Sequence, residues 1–185
     1  MIHLNQRGKM SMTKTKALRA VSLLFLAATL AATSVMSQTI AQTDAQKAFA
    51  AIKTMPGTWD GKTQDGRAVE VTFKAVSGGS AVMSEILGHG SEDMISMFHL
   101  DGPNKLLMTH YCGAGNQPRM QASVAPDGKT FTFTYFDATN LATPDAGHMQ
   151  RMVLTVLDEN HHIEEWTFAD HGKEMKETFD LRRKM

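Results

Sequence analysis

The chain has 185 residues, with 19 Lys and Arg balanced by 19 Asp and Glu, so its formal net charge is zero. No basic stripe or tail marks a nucleic-acid partner, and no acidic block marks a solvated tail. Cys112 is the only cysteine, which excludes an internal disulfide.

Lys14, Lys16 and Arg19 precede an apolar run from Ala20 to Ala32, and small residues follow at Ser34, Ser37 and Ala41. The run is short for a bilayer span, and the pattern predicts a leader and signal peptide over 1–41, cleaved near 37 or 41. Met10 and Met12 are better placed than Met1 to begin it. No cysteine sits near its end, so no lipidated N-terminus is expected. The product expected is periplasmic or secreted, with no integral membrane segment after cleavage. Residues 42–185, about 145 positions, suit a single domain that buries its own core.

From Asp44 to Met55, Ala48, Ile52 and Met55 recur at helical spacing with Ala45 and Phe49 alongside. Thr43 or Asp44 caps this helix, and Pro56-Gly57 ends it. The period then changes to two. Val69, Val71 and Phe73 alternate with Glu70, Thr72 and Lys74, and Ser77-Gly78-Gly79 turns into a strand from Ala81 to Leu87. Gly88-His89-Gly90, Asp101-Gly102-Pro103-Asn104 and Gly113-Ala114-Gly115-Asn116 bound strands at Met94–Leu100, Lys105–Cys112 and Met120–Val124. Phe131, Phe133 and Tyr135 alternate with threonines, and 137–147 forms a looser crossing. Strands at His148–Leu157, Ile163–Phe168 and Glu174–Arg182 complete the chain, leaving His161-His162 as a solvated turn pair.

About ten sequential strands joined by short turns predict an all-β, up-and-down antiparallel β-barrel with a short N-terminal helix. Inward sets are expected at Val69/Val71/Phe73, Phe131/Phe133/Tyr135, Trp166/Phe168 and Met175/Phe179/Leu181. Arg183 shares parity with Leu181 and is placed to stack on Trp59, closing the barrel floor.

The short helix, Gly57-x-Trp59 and a late arginine (Arg182 or Arg183) resemble the calycin superfamily, the lipocalins and their relatives. Met55-Pro56-Gly57-Thr58-Trp59-Asp60-Gly61 is also similar to the opening of nitrobindin-like ten-stranded barrels, which hold haem through a histidine near the C-terminus. The matching stretch, Lys176 to Arg182, has no histidine. No cofactor is therefore expected, and haem stands only as an alternative. Thr109-His110-Tyr111-Cys112 and Asn116-Gln117-Pro118-Arg119-Met120 are similar to segments of exported bacterial proteins of unknown function.

The densest polar group is His110, Cys112, Asn116, Gln117 and Arg119. His110 and Cys112 leave one face of a strand and Tyr111 the other. With Arg119 they can orient a carboxylate or activate a thiolate, or they can simply form wall and loop. Fourteen methionines include Met83, Met97 and Met108. They suit an adaptable pocket, or soft metal ligation together with His99, His110 or His148. Glu85 shares parity with Met83, and on an inward face it would need Arg119 or His99 as a partner.

These readings favour a carrier of a small apolar or amphipathic ligand. In it Trp166, Phe131, Phe133, Tyr135 and the methionines line the cavity and His110 and Arg119 hold a polar end. Haem or copper binding is the alternative, and a small enzyme using His110 and Cys112 at the mouth is a further one.

Overall fold

The structure, a computed structural model, describes residues 41–87 and 93–185. The predicted leader and the Gly88-His89-Gly90 turn lie outside the described residues. Helix α1 spans Asp44–Ile52, and Thr43 caps it by accepting from the Gln46 amide while the Gln46 side chain accepts from the Thr43 amide. Helical geometry stops at Ile52 rather than Met55, because the amides of Thr54 and Met55 close a tighter turn on Ala51 and Ile52.

Ten strands follow: β1 (Gly57–Thr63), β2 (Ala68–Val76), β3 (Ala81–Leu87), β4 (Met94–Asp101) and β5 (Lys105–Tyr111) form the first half. The second half is β6 (Gln117–Val124), β7 (Thr130–Thr139), β8 (His148–Asp158), β9 (His161–Asp170) and β10 (Lys173–Arg183). Each pairs antiparallel with its sequence neighbour, and β1 pairs with β10 to close the barrel. Closure removes the unpaired strand edges that would otherwise template aggregation. No helix among the described residues is long and apolar enough to cross a membrane.

Several strands are longer than their sequence patterns suggested. β7 runs to Thr139 instead of giving way near 137, and β9 begins at His161, so His161 and His162 are strand residues rather than a solvated turn. His162 has no exposed surface.

The chain meets itself most tightly where the barrel closes. A Cβ on Gly61 would lie 2.1 Å from the Asp180 carbonyl oxygen, so only glycine permits this approach of β1 to β10. Gly57 combines φ of +131° with the Arg183 guanidinium 3.1 Å from where its Cβ would stand.

One end of the barrel forms a sealed floor. Ala48, Phe49 and Ile52 of α1 are buried beside Met55, and the helix packs across β4, β5 and β6. Trp59 is 1 % exposed, and its indole N–H donates to the Met55 carbonyl at 2.9 Å. Arg183 pairs with Trp59 in the β1–β10 register and holds its guanidinium carbon 4.2 Å from the ring centroid. The same guanidinium donates to the carbonyls of Glu159, Pro56 and Thr54 at 3.0, 2.9 and 3.2 Å.

Above the floor the lumen is packed. His162 meets the edges of Trp59 and Phe73 at centroid distances of 4.3 and 5.7 Å, and Phe98 meets Phe133 at 5.4 Å. Phe131, Met108, Met120, Met152 and Leu154 fill the remaining space, each with at most 1 % exposure.

Candidate functional site

The opposite end of the barrel holds an apolar cavity of about 370 Å3. Ile86, Met94 and Cys112 line one side, together with Gly113 and Ala114 of the β5–β6 turn. Met149 of β8, Trp166 and Phe168 of β9, and Met175 and Phe179 of β10 line the other. Lys176 and Glu177 supply the charge at its edge. The Glu177 carboxylate also accepts from the Arg67 guanidinium at 2.7 Å. The turn after β5 is tied to the 140–147 loop, since the Asn116 amide donates to the Gly147 carbonyl and the Asn140 amide to that of Gly115, at 2.8 and 2.6 Å.

A buried polar belt lies directly beneath the cavity. Trp166 is held flat by its own strand: its indole N–H donates to Glu164 Oε2 at 2.9 Å, and Glu164 Oε1 lies 3.3 Å from His162 Nε2. Across the lumen, Ser84, Ser96 and His110 follow one another along the β3, β4 and β5 register. Ser96 Oγ lies 2.9 Å from His110 Nδ1. The His110 and Trp166 ring centroids are 5.0 Å apart, so the two walls touch at this level. His110 Nε2 and His162 Nδ1 are buried without a hydrogen-bond partner. Burial alone holds the His110 imidazole down to about 4, because the interior penalises its charged form.

Strand parity decides which expected site residues reach the lumen. Trp166 lines the cavity, and Cys112 sits at its edge with His110 one inward position below. Phe131, Phe133 and Met108 also point inward, but they fill the barrel instead of lining an opening. Tyr135 faces Met120 in the register and stacks on His148 at 4.5 Å.

The expectation that Met83, Glu85, Met97 and His99 belong to the ligand-binding set is corrected. In β3 the buried positions are Val82, Ser84 and Ile86, and in β4 they are Ser96 and Phe98, so these four residues occupy the outer face. Glu85 accordingly needs no buried partner. Arg119 and Gln117 are corrected in the same way, because Pro118 and Met120 take the inward positions of β6. Arg119 forms a bidentate pair with Asp137 on the outside and lies over Phe136 at 5.3 Å. Gln117 accepts from the Thr139 hydroxyl at 2.7 Å. Asn116 serves the loop-to-loop tie already described. His148 is buried, with Nδ1 2.7 Å from the Ala146 carbonyl and Nε2 2.9 Å from the Gln150 side-chain oxygen. His99, His110 and His148 are therefore dispersed as a metal set. Met175 has the inward parity expected but stands at the rim, 59 % exposed.

His162 and Glu164 were missed, although the signal was present. Placing Trp166 and Phe168 inward fixes every second residue of β9, which already turns Glu164 into the lumen, and extending the strand two residues back adds His162. Among the described residues no three of His, Cys, Asp and Glu converge as metal ligands. The haem alternative finds no histidine among the described residues that line the cavity, and β10 offers Met175, Lys176, Glu177 and Phe179 there. The residues present therefore do not fit the histidine ligation that the nitrobindin-like resemblance implies.

No protein-family model matches the chain, and no curated protein matches it. Among solved structures it is similar to the crystal structure of Rv2717c from M. tuberculosis, with a TM-score of 0.54 and 14 % identity. That match covers 75 % of this chain and 98 % of the other. At this identity the likeness is one of fold: both chains form the same kind of barrel.

Proposed function

We propose that this barrel carries a small apolar or amphipathic molecule in its mouth cavity. One observation supports the reading above the others: an apolar opening of about 370 Å3 stands over a lumen otherwise packed with side chains. That volume lies within the range of small-molecule sites, and such sites form at the mouths of barrels. Trp166, held by Glu164, offers a fixed aromatic face. Met94, Met149 and Met175 adapt to irregular shapes. Lys176 and Glu177 place the charge at the edge, so an amphipathic ligand directs its polar end outward. Membership of the calycin superfamily and an exported, periplasmic or secreted location belong to the same reading. They rest on the Gly57-x-Trp59 and arginine pattern and on the signal-peptide pattern.

The test is a fluorescence titration with N-phenyl-1-naphthylamine, a neutral apolar dye. Saturable uptake by the folded protein is expected, and Met149→Trp, which fills the cavity, should weaken it at least tenfold. No saturable uptake would overturn the carrier reading. Native mass spectrometry of protein purified from its own cells should show an excess mass that is lost on denaturation. A Soret band in that sample would replace the reading with haem binding.

A further inference from the structure

At the mouth, β9 and β10 pair Phe168 with Met175, Trp166 with Glu177 and Glu164 with Phe179. Alternation along each strand gives all six the lumen side. Glu177 lines the cavity, and its side chain is only 26 % exposed. Directly opposed residues stand about 4.5–5.5 Å apart at Cβ, and diagonal ones about 7–8 Å. Glu177 is therefore a carboxylate set among aromatic rings. Trp166 stands directly across from it, Phe168 on the diagonal, and Phe179 two residues along its own strand.

The charges around this point are unequal. Glu177 Oε1 accepts from Arg67 Nη2 at 2.7 Å, but Arg67 Nε also donates to both oxygens of Asp65, at 3.1 and 2.9 Å. Two carboxylates thus share one guanidinium, and the trio keeps an excess negative charge. Glu177 lines the cavity and Arg67 does not. Lys176 has the opposite parity to Glu177, and its ammonium lies 3.9 Å from Glu174, which shares that outward parity. A further carboxyl group stands behind Trp166, whose indole N–H donates to Glu164 Oε2 at 2.9 Å. An anion entering beside Trp166 would meet carboxylates before it met the guanidinium.

We infer that the mouth cavity takes an amphipathic organic cation, an alkylated ammonium on a short apolar tail, with Glu177 as its counter-ion. The inference rests on the carrier reading and gives the polar end of that ligand its sign. Aromatic rings attract cations through their quadrupole, Trp most strongly, and quaternary ammonium groups are recognised in this way. Alkylation of the nitrogen matters because a bare ammonium is strongly hydrated, and an apolar site returns little for the water it gives up. The tail lies against Ile86, Met94 and Met149, and the head stays at the edge beside Glu177. Arg67 holds that carboxylate in place.

The experiment is calorimetric titration of the whole protein with two probes that share a tail, octyltrimethylammonium and octanoate. The cation should bind at least tenfold more tightly. That ratio should fall several-fold as salt is raised to about 1 M, where the Debye length is about 3 Å, and this series needs no substitution. Glu177→Gln should cut the ratio below about threefold, with its urea midpoint reading the fold. Glu165→Gln removes the same charge from the exposed outer face of β9 and should keep the ratio. No binding of either probe and no uptake of N-phenyl-1-naphthylamine would overturn the carrier reading and this inference with it. Dye uptake without tighter binding of the cation would overturn the inference alone. So would a ratio that survives in folded Glu177→Gln, or one lost equally in Glu165→Gln.

Discussion

The two ends of the barrel are built from the same residue types to opposite effect. At the floor, Trp59 lies between the Arg183 guanidinium and the His162 ring, and Arg183 satisfies three backbone carbonyls. At the mouth, Trp166 is equally well anchored by Glu164 and His162, but nothing comparable to α1 covers it among the described residues, and it faces the cavity. An aromatic side chain seals an end only when a second element packs over it. The same side chain left uncovered provides a surface for a ligand. Stability is therefore concentrated at the floor and ligand chemistry at the mouth.

The sharpest way to break this division is Trp59→Ala. It removes the centre of the floor and should cost about 3–5 kcal/mol, read as a lower midpoint in urea unfolding. A loss under about 1 kcal/mol would mean that α1 alone seals this end.

Acid titration probes the belt between the two ends. The His110 imidazole titrates at about 4 in the folded barrel, against an ordinary value of 6.5. Its contribution to stability is complete above about pH 6.5 and is lost as the pH falls toward 4, because the unfolded chain takes up the proton first. The expected loss over that window is about 3 kcal/mol. It should appear as a steeper pH dependence of unfolding in the wild type than in His110→Phe. Equal slopes would show that His110 takes up its proton without unfolding.

Arg183→Leu should cost about 2 kcal/mol, since it removes the contact with Trp59 and leaves the carbonyls of Pro56 and Thr54 without their donor. Dye uptake at the mouth should be unchanged, and a fall in uptake would show that the two ends are coupled. Met175→Glu is the converse: at an exposed rim position it should alter stability by less than about 0.5 kcal/mol while weakening dye uptake several-fold. Arg119→Ala should change neither property by a measurable amount, because its pair with Asp137 lies outside the barrel in solvent.

Much of the architecture was legible in the sequence because a change from helical to two-residue period is a local property. Strand number, antiparallel order, the short helix and the placement of Trp59 against Arg183 all follow from that alternation and from parity on β1 and β10. The lining of the mouth was legible only where one face of a strand is plainly more apolar than the other, as at Phe131/Phe133 and Trp166/Phe168. β3 and β4 have no such asymmetry: Ser84 and Ser96 are buried while Met83 and Met97 are not. Hydrophobicity alone selects the wrong face there, because the inward serines are the ones that face the buried imidazole layer.

What the sequence determined by itself was the repeating unit and its direction of alternation, since a side-chain period of two leaves each strand only one binary choice. The tertiary structure made that choice, because closure through β1 and β10, the irregular register at Arg119/Met120 and the pairing of each strand with both neighbours fix every face at once. Ile86, Met94 and Trp166 come from three strands, so only that shared register could bring them to one cavity.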